Sequence, residues 1–210
     1  MKRFYPVADD HLLLRVLWLY GFYMLITNAA FLFGYYLLPE GSLRQGPQTA
    51  AASVAASADT FGAELFLTLL FNVGVVITVA VVMNLNRVRG FPVGYLYPVF
   101  LGVVSGLIPG TNSFVSSDLA DYTVREGMAL SLSIGNLEML GYICVIAATV
   151  GIGVYEYRSW WRWGGEWKAT KTKSLRDIRL SRAEWATVVV GIAFVGLAAV
   201  RETLMARGGL

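Results

Sequence analysis

Five stretches of this chain are long and apolar enough to cross a lipid bilayer as helices, and that pattern constrains the fold more than any other feature. A spanning helix needs about 20 mostly apolar residues, each adding about 1.5 Å of rise. The runs fall at residues 12–38, 61–83, 92–115, 128–155 and 185–205. Arg15 and Asn28 interrupt the first, Glu64 and Asn72 the second, and Asn136 and Glu138 the fourth, while Pro109-Gly110 lies in the last third of the third. The fifth is the weakest, because its clean part, residues 185–200, stops at Arg201 and Glu202. Sixteen residues reach only about 24 Å, and a snorkelling Arg201 has to extend the segment toward Met205. The apolar part of the first run exceeds the about 7–15 residues of a signal-peptide core, so it is expected to be a retained helix.

Composition agrees. Of 210 residues, 56% are hydrophobic and 15% charged, against roughly 25% charged in a soluble domain. A free-standing soluble enzyme, a disordered chain and a nucleic-acid-binding module are excluded on that ground, since the polar surface they need is missing. The single cysteine, Cys144, excludes an internal disulfide and a thiolate metal cluster. The expected fold is all-α: one domain, residues 1–210, forming an integral membrane bundle of five transmembrane helices.

Positive charge on flanking loops sets orientation. With the N-terminus inside, the inner set comprises Lys2, Arg3, Arg15, Arg87, Arg89, Arg158, Arg162, Lys168, Lys171, Lys173, Arg176, Arg179 and Arg182, which is 13 of the 17 basic residues. Arg44, Arg125, Arg201 and Arg207 remain outside. The expectation is a multi-pass protein of the cytoplasmic (cell) membrane, N-terminus cytoplasmic and C-terminus external. Residues 84–90 then form a tight internal turn, and residues 116–127 a mildly acidic external loop. The external segment 39–60 contains an alanine-rich stretch that fits either a short surface helix or a linker.

The largest internal segment, residues 156–184, opens with Trp160, Trp161, Arg162 and Trp163 and continues through Trp167, Lys168, Lys171 and Lys173. Tryptophan favours the headgroup layer, where its ring is apolar and its N–H is wet. Two readings fit: docking of anionic lipid or a partner protein at the cytoplasmic face, or a simple topogenic anchor. Residues 175–183 read as a short amphipathic helix leading into the fifth span.

Ionisable groups at membrane depth ask for a reason. Glu138 shares a helix face with Gly135 and Gly141 at i, i+3 and i+6, a pattern that lets a neighbouring helix approach and bury the carboxyl; Asn136 points elsewhere. Glu64 and Asn72, eight residues apart, fall on nearly one face. In Pro109-Gly110-Thr111-Asn112-Ser113, the proline frees a carbonyl that Asn112 and Ser113 are placed to satisfy. Glu138 and Glu64 are positioned to share a proton or to pair with Arg201, which with Glu202 forms the last cluster. Each cluster reads either as interhelical bonding or as an ion path. Nothing points to catalysis. His11 is the lone histidine and starts the first run, and the six aspartates, Asp9, Asp10, Asp59, Asp118, Asp121 and Asp177, fall in loops or at interfaces. No enzyme activity, cofactor, metal or nucleic-acid partner is expected.

The order of these features resembles the stage II sporulation protein M family of small integral membrane proteins. The likeness is loose and spans residues 61–202. It rests on Asn72, on Gly102 and Gly106 with Gly110-Thr111-Asn112, on Gly135-Asn136-Leu137-Glu138-Met139-Leu140-Gly141, and on Ala198-Ala199-Val200-Arg201-Glu202. It departs at Ser133-Ile134, where the family has a histidine, and at its longer Gly-Thr-Asn-Ser turn. The resemblance implies a membrane anchor and scaffold for partner proteins. The expected function is therefore a non-catalytic membrane scaffold or accessory subunit, partnered by other membrane subunits or by copies of itself. The alternatives are a small permease-type transporter subunit and a minor subunit of a respiratory or photosynthetic complex.

Overall fold

The structure, a computed structural model, describes residues 11–46, 50, 53–55, 57–113, 123–157 and 169–207. Among them, five long helices carry the fold: α1 (Leu12–Leu37), α2 (Phe61–Asn84), α3 (Leu96–Gly110), α4 (Val124–Thr149) and α5 (Arg182–Ala206). With the 3-10 turns Val93–Tyr95 before α3 and Val150–Ile152 after α4 counted in, all five are long and apolar enough to cross a membrane. The helices alternate in direction. One end of the bundle gathers the start of α1 and α3 and the end of α4; the other gathers the end of α1 and α3, the start of α2 and the end of α5.

The fold is mostly helical, and a small sheet that the all-α expectation did not include closes the first of these ends. Strands β1 (Asn86–Val88), β2 (Phe91–Pro92), β3 (Tyr155–Tyr157) and β4 (Ala169–Lys171) line up in the order β2-β1-β3-β4. β1 and β2 form an antiparallel hairpin across Arg89 and Gly90, whose φ angles of 51° and 81° are both left-handed. Two positive φ values suit the two-residue hairpin turn whose twist matches its strands, and glycine tolerates the second at no steric cost. β1 runs parallel to β3, with Asn86 opposite Tyr155, and β3 pairs antiparallel with β4.

Other boundaries also move. The third helix ends at Gly110 rather than near 115, and the fourth stops at Thr149, because residues 155–157 belong to the sheet. The fifth is one of the longer helices, not a marginal one. Ser181 accepts from the Glu184 amide and Glu184 reaches back to the Ser181 amide, a capping box that starts the helix at Arg182. The helix then runs through Arg201 and Glu202, giving 24 residues in Arg182–Met205, about 36 Å. Residues 175–183 are not an amphipathic helix: Leu175–Asp177 is one 3-10 turn and the chain is extended at Ile178.

Two helix pairs and one hub build the core. α1 lies along α3, α5 lies along α4, and α4 touches every other helix, while α2 packs on α4 and α5. The α1–α3 pair is parallel and rests on glycine. A Cβ at Gly102 would stand 3.2 Å from the Tyr23 carbonyl oxygen, one at Gly106 would run into the Thr27 carbonyl oxygen, and one at Gly110 would stand 2.5 Å from the Phe31 carbonyl oxygen. Each step of four residues on α3 thus meets a step of four on α1, the small-xxx-small arrangement that brings backbones together without a hydrophobic driving force. Gly34 completes it from the α1 side, 3.2 Å from the Gly110 carbonyl carbon by the same measure. The antiparallel α4–α5 pair closes on Gly141 and Gly191, each facing the other's carbonyl oxygen at 2.6 and 2.7 Å from the added Cβ.

Replacing Gly106 by valine is expected to cost about 1–3 kcal/mol through forced separation of α1 and α3. Gly21→Ala, with nothing within 4 Å of its Cβ position, should leave stability unchanged. Thermal unfolding of both variants in detergent checks the contrast.

Candidate functional site

The polar groups inside the bundle cluster at three levels. The densest is where α4 ends. The last carbonyls of a helix have no partner within it and carry the negative end of its dipole. Here four side chains from four places in the chain reach them. Arg15 of α1 donates to the Ala147 carbonyl at 2.7 Å, and Asn84, the last residue of α2, donates to the Ile146 carbonyl at 2.9 Å and the Thr149 hydroxyl at 2.8 Å. Arg87 of β1 donates to the Val150 carbonyl at 2.9 Å, and Lys173, beyond β4, to the Gly151 carbonyl at 2.7 Å. Three cations therefore surround one helix C-terminus, where positive charge is favoured. Arg15 and Asn84 are buried, Asn84 completely. Composition had placed Arg15 and Arg87 among the charges that set orientation; their part in closing α4 depends on which helices meet.

The middle level holds Glu138 and Asn136. Tyr142 donates to Glu138 one turn along α4, and Tyr20 of α1 donates to Asn136. Asn136 does point away from the α5 side, toward α1. The expected Gly135-Glu138-Gly141 face is only partly used. Gly141 meets α5, whereas a Cβ at Gly135 would meet nothing within 4 Å.

At the far end, two joints hold the helix termini. Glu64 pairs with Arg207 at 2.7 Å, fastening the start of α2 to the end of α5, and Arg207 also donates to the Ala58 carbonyl at 2.9 Å. The partner of Glu64 is thus Arg207, not the expected Arg201. Glu202 is exposed. The second joint is the turn after α3. The Thr111 hydroxyl and the Ser113 amide bond the Leu107 and Ile108 carbonyls at 2.8 and 2.9 Å. Asn112, left-handed at φ 49°, donates instead to Glu40 at 2.5 Å. The loop after α1 returns the contact: Gly41 donates to the Thr111 carbonyl, Leu43 to the Ser113 hydroxyl and Arg44 to the Asn112 carbonyl, at 2.7, 3.0 and 3.3 Å.

Residues Leu70–Ile77 wind as a π-helix, so the segment that carries Asn72 departs from the 3.6-residue turn. Glu64 is buried in its ion pair, and Asn72 is half-buried in the π segment. Of the predicted docking residues, Trp160, Trp161, Arg162, Trp163, Trp167 and Lys168 lie outside the described residues. Lys171 is exposed on β4, and Lys173 is engaged by α4. Among the described residues no three His, Cys, Asp or Glu side chains gather as a metal ligand set would.

Outside the apolar segments, the N-terminal cap of α4 carries one shifted group. Glu126 accepts from the Thr123 amide and hydroxyl at 2.8 Å each, and these bonds hold its carboxyl below the ordinary value. Compared with protein-family models, with curated proteins and with solved structures, the chain finds no match in any of the three.

Two outcomes follow from this geometry. Arg15→Met should destabilise the protein by about 1.5–3 kcal/mol, the usual worth of a hydrogen bond from a charged donor, measured by denaturation in detergent. Because its folded pKa is depressed, Glu126 stabilises the α4 cap above the ordinary carboxylate range and releases it as pH falls through the lowered value. NMR titration should place its midpoint below that of a free glutamate, and Thr123→Ala should return it.

Proposed function

We propose that this chain is a non-catalytic, multi-pass membrane protein acting as a scaffold or accessory subunit, with its sheet end on the cytoplasmic side. The observation that carries the reading is the division of polar and apolar groups. Several polar side chains within the helices form joints between helices: Arg15 and Asn84 on α4, Tyr20 on Asn136, Glu64 on Arg207. Outward faces are apolar along their length, as with Leu17, Phe22 and Leu25 on α1, Phe66 and Val79 on α2, and Val189 and Leu197 on α5. In water such faces are unsustainable, whereas lipid or other membrane subunits cover them without cost.

The basic residues support the orientation. Arg87, Arg89, Lys171, Lys173, Arg176, Arg179 and Arg182 lie on or beside the sheet, at the end where α1 begins. The likeness to the stage II sporulation protein M family belongs with this reading as an expectation of architecture and of a partner-holding role in the cytoplasmic membrane. A permease path through Glu64, Asn72, Asn112 and Glu138 gains no support from geometry, because Glu64 and Asn112 serve separate joints at one end and Glu138 bonds within its own helix.

Glu138→Gln tests the proposal. The amide still accepts from Tyr142, so stability should fall by only about 0.5–1.5 kcal/mol, and reconstituted vesicles should show the same proton permeability with either chain. A proton flux present in the wild type and lost in the variant would overturn the scaffold reading in favour of transport.

A further inference from the structure

Beyond β4, the chain passes from Lys171 to the first turn of α5 through a short segment with an unbalanced charge. Its acids are engaged. The Asp177 carboxylate accepts from the Ser174 amide at 3.2 Å, and that of Glu184 from the Ser181 amide at 2.7 Å, each closing a capping box. Two of its bases are engaged as well. Lys173 binds the Gly151 carbonyl, and Arg179 folds onto the Arg176 and Ile178 carbonyls at 2.8 and 3.0 Å. Lys171, Arg176 and Arg182 remain as exposed cations that form no ion pair among the described residues.

Two large apolar side chains are interleaved with these cations: Leu175, 57% exposed, and Trp185, 58% exposed. Exposed cations alternating with an exposed leucine and tryptophan, at the foot of an apolar helix, are what the headgroup layer accommodates. The apolar groups enter the acyl boundary and the cations meet phosphate.

We propose that this segment is a binding surface for anionic phospholipid headgroups, with Arg176 and Arg182 as the principal charge contacts, Lys171 as a third, and Leu175 and Trp185 as the apolar anchors. The inference rests on the membrane reading above and refines it. It moves lipid recognition onto the chain entering α5, and it removes Lys173 from that role, since its ammonium already serves the end of α4.

The test uses the full chain reconstituted in bilayers with spin-labelled phosphatidylglycerol or phosphatidylcholine, reading the fraction of each label immobilised by the protein. Each interfacial cation is worth about fivefold in preference for anionic lipid. The wild type should therefore favour phosphatidylglycerol, and Arg176→Gln/Arg182→Gln should reduce that preference by about tenfold or more. Lys173→Gln should leave the preference unchanged. Raising the salt concentration should erase the preference in the wild type without any substitution, which keeps the test independent of variant folding. Equal immobilisation of both lipids by the wild type, or an undiminished preference in the double variant, overturns the proposal and leaves the cations for an acidic protein partner. If neither lipid is immobilised, the chain is not in the bilayer and the membrane reading itself fails.

Discussion

The rest of the structure depends on how the C-terminus of α4 is closed. A helix that ends inside a bundle leaves carbonyls that water cannot reach, and an unmet buried acceptor costs as much as a good interaction gains. Here the closing groups come from α1, the last residue of α2, β1 and the segment after β4, through Arg15, Asn84, Arg87 and Lys173. One helix end thus fixes the depth of two other helices and seats the sheet beneath them. The same point ties the sheet to α2, since the Leu85 carbonyl accepts from both Val154 and Tyr155.

Charge and packing divide the labour between the two ends of the bundle. At the sheet end, cations neutralise a helix terminus and continue outward onto exposed loops. At the other end the joints are pairings that hold helix tips to one another and to loops, Glu64 with Arg207 and Asn112 with Glu40. Between them the helices meet through glycines, Gly102, Gly106 and Gly110 against α1 and Gly141 against Gly191. Small residues suit that middle region, because they let the helix backbones approach closely and gain dispersion contacts.

How much of this was legible in the sequence follows from the range of each force. The five apolar runs were readable because each helix satisfies its own backbone and needs only length and hydrophobicity. Boundaries were less readable, since capping sets them. Ser181 with Glu184 carries a readable capping signal that starts α5, yet a count of apolar residues alone made that helix too short. Gly102, Gly106 and Gly110 display their spacing openly, but not that α1 is the partner. The π turn at Leu70–Ile77 and the roles of Arg15 and Asn84 left no local signal, because their causes lie in other helices. Of the glycines flanking Glu138, Gly141 meets α5 and Gly135 meets nothing within 4 Å, a difference that depends on where α5 lies and not on their spacing.

The parallel pairing of α1 with α3 has a consequence for the order of assembly. Parallel neighbours cannot be consecutive in an alternating chain, so α1 has to wait while α2 is made before its glycine-matched partner arrives. Arg15 waits longer, because the carbonyl it binds belongs to α4. Arg15, Asn84 and Arg87 are all synthesised before the carbonyls they close, and Lys173 follows them. When α4 emerges, most of its terminus has a receptor already in place, and synthesis of β3, β4 and Lys173 latches what the earlier elements have gathered.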